Sequence, residues 1–392
     1  MKKSIPNLLV ILIFSLIAQL VSSQEHHANN KKWFPKYDFN AAQFKTPAPE
    51  FGPFARWWWP GNDVTKQELQ REINLFADHA FGGVEIQTLN LFVPMSSAEV
   101  RERVQSWDSP EYYENVKAVM SEAAKRGLTV DMTNGSGWPT GGSYVAPEDG
   151  FINLLFASQD IQGGKQLALV VPKIENTTVV PSRLQAVLAT KILPQQASGS
   201  KTIALDASAT QDLTPKVKND TLYWSAPAGD WKIIAFWSKP NSLGGSMTAA
   251  PKQGPVLNHL DSLKVIKNYD YLFGARTGLQ AYFGKPMRAI FTDSYEFAVD
   301  RHYSDDFLAY FKKQRGYDAT PWLPANMQKG YNYASFKNPN AAPDFSFGTE
   351  DWRLKYDYDM TLSELLEEHF IKTSSQWTEK RGLLFRTQAY GM

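Results

Sequence analysis

Apolar and polar positions follow one rhythm to about residue 150, another to about 241, and then return to the first. Arg56-Trp57-Trp58-Trp59 is a strand-like run closed by the turn Pro60-Gly61. Beyond it, Leu69, Ile73, Phe76 and Ala80 recur at spacings of four, three and four, which predicts a helix with one buried stripe. Thr65 and Glu68 stand at capping-box spacing at its start. Gly82 to Gln87 reads as a short strand. Ser109-Pro110 then opens a second helix as N-cap and first-turn proline, with Val116, Met120 and Ala123 inward and Gly127 as its stop. Leu128 to Met132 is a third strand. The order βαβαβ predicts a parallel sheet.

From Phe151 to Asn241 the helical period disappears. The runs Gln166–Val171, Leu184–Ile192, Leu222–Trp224 and Trp231–Trp237 are separated by turn-rich stretches. They predict an all-β, sandwich-like insertion in a loop of the main domain. The first rhythm then resumes with a helical segment from about Leu260 to Phe283 and a strand from Met287 to Phe291. A helix from Asp305 to Arg315 follows, stopped by Gly316, then a long one from about Asp351 to Arg381 that buries Leu354, Leu362, Leu365 and Leu366. Leu383 to Tyr390 is the fifth strand. Five strand–helix steps do not close an eight-stranded barrel. Two α/β architectures fit: an open doubly wound sheet, or a (β/α)8 TIM-type barrel that is incomplete in this chain. On the barrel reading, 51–150 is its first part, 151–250 the β-rich insertion and 251–392 its continuation.

The N-terminus changes the expected location. Lys2 and Lys3 precede an apolar run from Leu8 to Val21, followed by Ser22 and Ser23, the order of a cleaved signal peptide over 1–23. That run is shorter than the roughly 20 residues that span a bilayer, so no membrane anchor is expected; an uncleaved anchor is the competing reading. Residues 24–50, polar and proline-containing, read as a linker. The expected destination is the periplasm or the bacterial exterior.

Cysteine is absent, which excludes disulfides, thiolate metal sites and a cysteine nucleophile. Lys plus Arg (41) nearly balances Asp plus Glu (40), so no overall field favours nucleic acid or an anionic surface. The 12 Trp, 17 Tyr and 23 Phe are core material first. The same rings also stack on the apolar C–H faces of pyranose sugars.

In a β/α barrel, side chains at the C-terminal strand ends converge on one face, and that face carries the site. Here those ends offer Trp57 to Gly61, Glu85 and Gln87, Asp131 and Asn134, Asp293 and Glu296, and Gln388 and Tyr390. Amides, carboxylates and aromatic rings on one rim suit a sugar, and glycosidic cleavage requires two carboxyl groups. Glu296 is the sharpest candidate, with Asp293 three residues earlier and aromatics on either side to raise its proton affinity. The plainer reading is a carboxylate that caps a helix or pairs with Arg301. Asp293 suits orientation of a neighbour, substrate contact or chemistry, and Glu85 suits pairing with a basic residue that lines the core. Of three consecutive tryptophans, alternation sends one or two toward the helices and leaves a ring for the pocket floor; Trp58 and Trp59 are the candidates. Trp138, in a glycine-rich loop that lacks the lysine of a P-loop, reads as a ring presented to a sugar. The metal signals are sparse: His259 and Asp261 at a helix start, and His302 near Asp300, Asp305 and Asp306.

Five motifs in order carry a resemblance. They are Phe54-Ala55-Arg56-Trp57-Trp58-Trp59-Pro60-Gly61 with Val64-Thr65, Gly82-Gly83-Val84-Glu85-Ile86-Gln87, Asn134-Gly135-Ser136-Gly137-Trp138-Pro139-Thr140-Gly141-Gly142, Phe291-Thr292-Asp293-Ser294-Tyr295-Glu296 and Gln388-Ala389-Tyr390-Gly391. Together they resemble family 106 of the glycoside hydrolases, the α-L-rhamnosidases. The resemblance implies a (β/α) barrel with accessory β-domains. It also implies exo-acting hydrolysis of terminal α-L-rhamnose from plant polysaccharides or glycosides, by inversion, with Ca²⁺ at the sugar. On that reading Glu296 is the general acid, and Trp58, Trp59, Gln87, Asn134, Trp138, Asp293 and Tyr390 contact substrate. Family members continue past the Gln-Ala-Tyr-Gly motif, so the second carboxylate and metal ligands are expected beyond Met392. The alternatives are another exo-glycosidase of similar architecture and an inactive sugar-binding fragment.

Overall fold

The computed structural model describes residues 40–90, 93–175, 180–194, 201–241, 244–299, 301–327 and 342–389. The proposed signal peptide, most of the linker, Asp300 and Tyr390 lie outside them. The chain forms two compact units, Met1–Gly52 and Pro53–Met392. The described part of the first holds a short helix, α1 (Ala41–Lys45), whose N-cap Asn40 accepts from the Ala42 and Gln43 amides, and a 3₁₀ turn at Pro49–Phe51.

The second unit opens with β1 (Phe54–Pro60), α2 (Lys66–Asp78), β2 (Gly83–Leu89), α3 (Ala98–Val104), α4 (Pro110–Arg126) and β3 (Thr129–Thr133). Thr65 caps α2 through the Glu68 amide at 3.2 Å. Ser109 caps α4 through the Tyr112 amide, also at 3.2 Å. The chain leaves β1 through Gly61 at φ +59°, where an added Cβ would strike the Val104 carbonyl oxygen at 1.8 Å. Only glycine takes that path.

Seven strands follow: β4 (Ile152–Gln162), β5 (Lys165–Val170), β6 (Arg183–Ile192), β7 (Ile203–Asp212), β8 (Val217–Lys218), β9 (Thr221–Ala226) and β10 (Asp230–Pro240). Next come α5 (Ser262–Phe273), β11 (Met287–Thr292), β12 (His302–Tyr303), α6 (Phe307–Arg315), β13 (Phe345–Ser346), α7 (Asp351–Leu366), α8 (Lys372–Glu379) and β14 (Leu384–Thr387). α5 is shorter than the periodicity predicts. Asp261 caps its start, Gly274 ends it, and the remaining apolar residues form a 3₁₀ turn at Leu279–Tyr282. α7 and α8 run on through a π-helical turn at Glu367–Ile371, where one helix is expected.

The parallel sheet has the order β1-β2-β3-β11-β14. Each new strand adds to the same edge, unlike the reversal of a doubly wound sheet. One face packs on helices: Trp57 meets Phe76 of α2 at 5.7 Å, Trp59 meets Tyr112 of α4 at 6.2 Å, and Phe385 meets Phe370 at 5.9 Å. Among the described residues this is half a barrel, open at β1 and β14. Five strands in sequential order make only part of an eight-stranded circuit, in keeping with the incomplete sheet that the sequence implies.

The β-rich part comprises a six-stranded sheet, β12-β4-β10-β6-β7-β13, and a three-stranded sheet, β5-β9-β8. Val187, Ala189, Ile233, Ala235 and Trp237 of the larger sheet pack against Leu222, Trp224 and Ala226 of the smaller. The opposite face of the larger sheet gives Phe156, Ala186, Leu188, Ile234 and Phe236 to the main core. Burial on both faces explains the near-continuous apolar run of β10. Because β12 and β13 join this sheet from beyond residue 300, the β layer does not end where the local sequence pattern does.

Candidate active site

Period-two alternation decides what the open face of the parallel sheet carries. Arg56, Glu85 and Asp131 are in register on β1, β2 and β3. Glu85 pairs with Arg56 at 3.1 Å and Arg386 at 2.9 Å. Asp131 takes Arg288 through both oxygens, at 3.0 and 2.6 Å, and also Arg386. Phe291 lies beneath the Arg56 and Arg386 guanidiniums, and Phe54 beneath that of Arg288. Burial pushes the Glu85 carboxyl up from its ordinary value, against the pull of Arg386 and Arg56. These three arginines escape a reading based on strand ends. For two of them the signal is position: Arg56 and Arg386 each stand two residues before a rim candidate, Trp58 and Gln388.

One step toward the strand ends, Trp58 is in register with Gln87. The buried Gln87 amide nitrogen donates to Glu85 at 3.0 Å and to Asp293 at 3.3 Å. Asp293 accepts the Ser294 backbone N–H at 2.8 Å, and the Ser294 hydroxyl donates to Glu296 Oε2 at 2.6 Å. The structure thus joins Gln87, Asp293 and Glu296 in one chain of hydrogen bonds, and Ser294 is the link that residue types alone miss. Arg301 ion-pairs with Asp359 at 3.3 Å. Tyr295 and Phe297 stack on one another at 6.1 Å and pack against His259, so the flanking aromatics anchor the loop in the core rather than wall the Glu296 carboxylate.

The three tryptophans separate as alternation demands. Trp58 is 53% exposed, on the face opposite the helices. Trp59, expected among the substrate contacts, is 1% exposed and meets Trp57 edge-on at 5.4 Å. That burial removes it from the rim. Asn134 is buried with both ends of its amide engaged: it donates to Thr292 at 3.2 Å and accepts from Asn268 at 2.9 Å. It ties β3, β11 and α5 together. Trp138 is half-buried in a loop paired antiparallel with Ser246.

The metal candidates have other work. His259 Nδ1 bonds the Leu257 carbonyl at 2.7 Å, and its ring lies 4.4 Å from Phe370. Asp261 caps α5, Asp305 pairs with Arg183 at 3.3 Å, and Asp306 accepts from Ser304 at 2.6 Å. Calcium takes about six to eight oxygen ligands. Among the described residues no three His, Asp or Glu side chains converge. Glu85 and Asp131 already face guanidiniums, so these residues do not fit a calcium cage. A cleft of about 660 Å³, lined by Trp322, Trp352, Tyr356 and their neighbours, shares no residue with this rim.

No curated protein matches the sequence. The solved rhamnosidase from Novosphingobium sp. PP1Y is similar in fold, with a TM-score of 0.64 at 18% identity over 89% of this chain. The chain spans about half, 47%, of that structure's length. The family model described as α-L-rhamnosidase, family 106 of the glycoside hydrolases, matches residues 45–187 and 182–391. On that match, over nearly all of the sequence beyond its N-terminal segment, the chain belongs to the family 106 α-L-rhamnosidases.

Proposed function

We propose that this chain supplies the proton-donating side of an exported, exo-acting, inverting α-L-rhamnosidase that acts on rhamnose-terminated plant polysaccharides or glycosides. The observation that carries the reading is the chain Gln87–Asp293–Ser294–Glu296, which fixes a partly exposed carboxyl at the end of β11. Glu296, protonated, gives its proton to the glycosidic oxygen as the bond from that oxygen to C1 breaks. Water attacks C1 from the opposite face and loses its proton to a general base, which leaves β-L-rhamnose. Inversion needs the two carboxyl groups about 6.5–9.5 Å apart. Glu85 and Asp131 are held by arginines, so neither is assigned as base. We assign the base, and the strands that close the barrel, to the region matching the half of the Novosphingobium enzyme that this chain does not cover. Trp58 offers an exposed ring to the sugar face.

The test compares leaving groups in the full-length protein. Glu296→Gln should slow hydrolysis of an alkyl α-L-rhamnoside by about 10²–10⁴-fold. It should slow a nitrophenyl rhamnoside far less, because nitrophenolate departs without protonation. Equal losses on both substrates would assign Glu296 to the base, and full activity on both would remove it from the chemistry.

A further inference from the structure

The approximately 660 Å³ cleft lies between the C-terminal end of α6, the 3₁₀ segment Thr320–Asn326 and the first half of α7. Trp352 and Tyr356 line it while 66% and 60% exposed. Four residues apart on α7, they share a face and are offset by about 6 Å along the axis. The core side of α7 is supplied by Leu354, Tyr358 and Leu362, and among the described residues these two rings take no part in the core. A third ring, Trp322, is half-buried and held edge-on by Phe347 at 5.7 Å. Exposed aromatic surface gathered in a concave site marks binding.

Polar groups decide what kind. Arg315, Arg353, Glu350 and Asp357 also line the cleft, two cations and two anions. Arg315 is already engaged by Glu364 at 2.7 Å, and Asp357 by the Tyr317 hydroxyl at 2.8 Å. Arg353 and Glu350 are only loosely paired, at 3.8 Å, and both are largely exposed. The lining has no net charge to attract an ionic ligand. An apolar protein segment laid here would bury Arg353 and Glu350 with only their loose mutual pairing to offset the lost hydration, which is costly. A sugar meets both demands: its C–H faces stack on the rings, and its hydroxyls bond a guanidinium and a carboxylate that are free to turn toward it.

We propose that this cleft is a second, non-catalytic binding site for an uncharged segment of glycan, with no lining residue in common with the Glu296 rim. The proposal rests on the reading of the protein as a carbohydrate-active enzyme. Electrophoresis of the full-length protein through gels containing neutral arabinogalactan tests it, with polygalacturonate as the charged comparison. Arabinogalactan should retard the wild type, and polygalacturonate should not. Trp352→Ala and Tyr356→Ala should each weaken that retardation by about fivefold or more, the usual cost of truncating an aromatic anchor, while Trp352→Phe retains most of it. Both rings are exposed, so thermal midpoints should be unmoved. Hydrolysis of an aryl α-L-rhamnoside should also be unchanged in all three variants. Retardation that survives both alanine substitutions overturns the proposal. So does a wild type that arabinogalactan fails to retard, or one retarded by polygalacturonate alone. Absence of rhamnoside hydrolysis in the wild type would overturn the hydrolase reading instead, with the gel result still judging the cleft.

Discussion

Ser294 donates its hydroxyl to Oε2 of Glu296 at 2.6 Å, two residues along a loop whose intervening Tyr295 is buried. The bond sets the rotamer of the one rim carboxyl assigned to proton transfer. A hydrogen bond between neutral groups contributes about 0.5–1.5 kcal/mol. Ser294→Ala should therefore lower kcat on an alkyl rhamnoside by about two- to tenfold, with little change in KM. Ser294→Thr, which keeps the hydroxyl, should recover most of the loss. Steady-state kinetics on the three proteins would check this, and an unchanged kcat in Ser294→Ala would show that the loop backbone alone orients Glu296.

The Asp131 carboxylate, with no solvent exposure, stands between Arg288 and Arg386. Removing it leaves the partly exposed Arg288 without its counter-ion, while Arg386 keeps Glu85. Asp131→Ala should cost about 1–3 kcal/mol, read as a lower urea midpoint. Deleting the exposed Lys372–Glu368 pair should leave the midpoint unmoved. Equal effects at the two places would mean that water, not Asp131, screens the arginines.

Adjacent tryptophans should part company in the same way. Trp59→Ala empties a core position and should destabilise by about 3–5 kcal/mol. Trp58→Ala removes a half-exposed ring on the opposite face, so its stability should hold while KM for the rhamnoside rises. A Trp58→Ala protein with unchanged KM would take that ring out of substrate binding.

The residues that resisted a reading of the sequence did so for identifiable reasons. β10 was legible because both its faces are buried, so Trp231–Trp237 is apolar except for Lys232. β7, Ile203–Asp212, mixes alanine, serine, threonine and aspartate, and its strand state is imposed by pairing with β6. β12 and β13 are two residues each and exist only because the six-stranded sheet offers them an edge. Capping serine and threonine announced α2 and α4 locally. At the site, Glu296 and Asp293 could be picked out as strand-end carboxylates. Arg56, Arg288 and Arg386 could not, since only sheet order brings residues 56, 288 and 386 onto the same two acids. The Trp pair shows the limit most plainly: alternation separates Trp58 from Trp59, but which of them faces the helices depends on the whole sheet.

Acid should loosen the loop that carries Glu296 before neutral pH does. Tyr295 and Phe297 of that loop pack on His259, whose Nδ1 bonds the Leu257 carbonyl while Nε2 is enclosed without a partner. Protonation would bury an unpaired N–H among aromatic rings. Burial accordingly holds His259 down at about 4. Burial, with Arg301 and His259 nearby, holds His302 at about 3. An unfolded histidine titrates near 6.5. Between these values the unfolded chain binds protons that the folded chain refuses. The stabilising contribution is therefore complete above about pH 6.5 and is lost as pH falls toward 4. At pH 5 the fully enclosed His259 should account for about 2 kcal/mol of lost stability; His302 keeps part of its surface open and should add less. Urea midpoints measured from pH 7.5 to 4.5 should fall steadily in the wild type and more shallowly in His259→Phe, which keeps a ring in place and removes the titrating nitrogen. Parallel slopes in the two proteins would place the acid sensitivity outside this histidine.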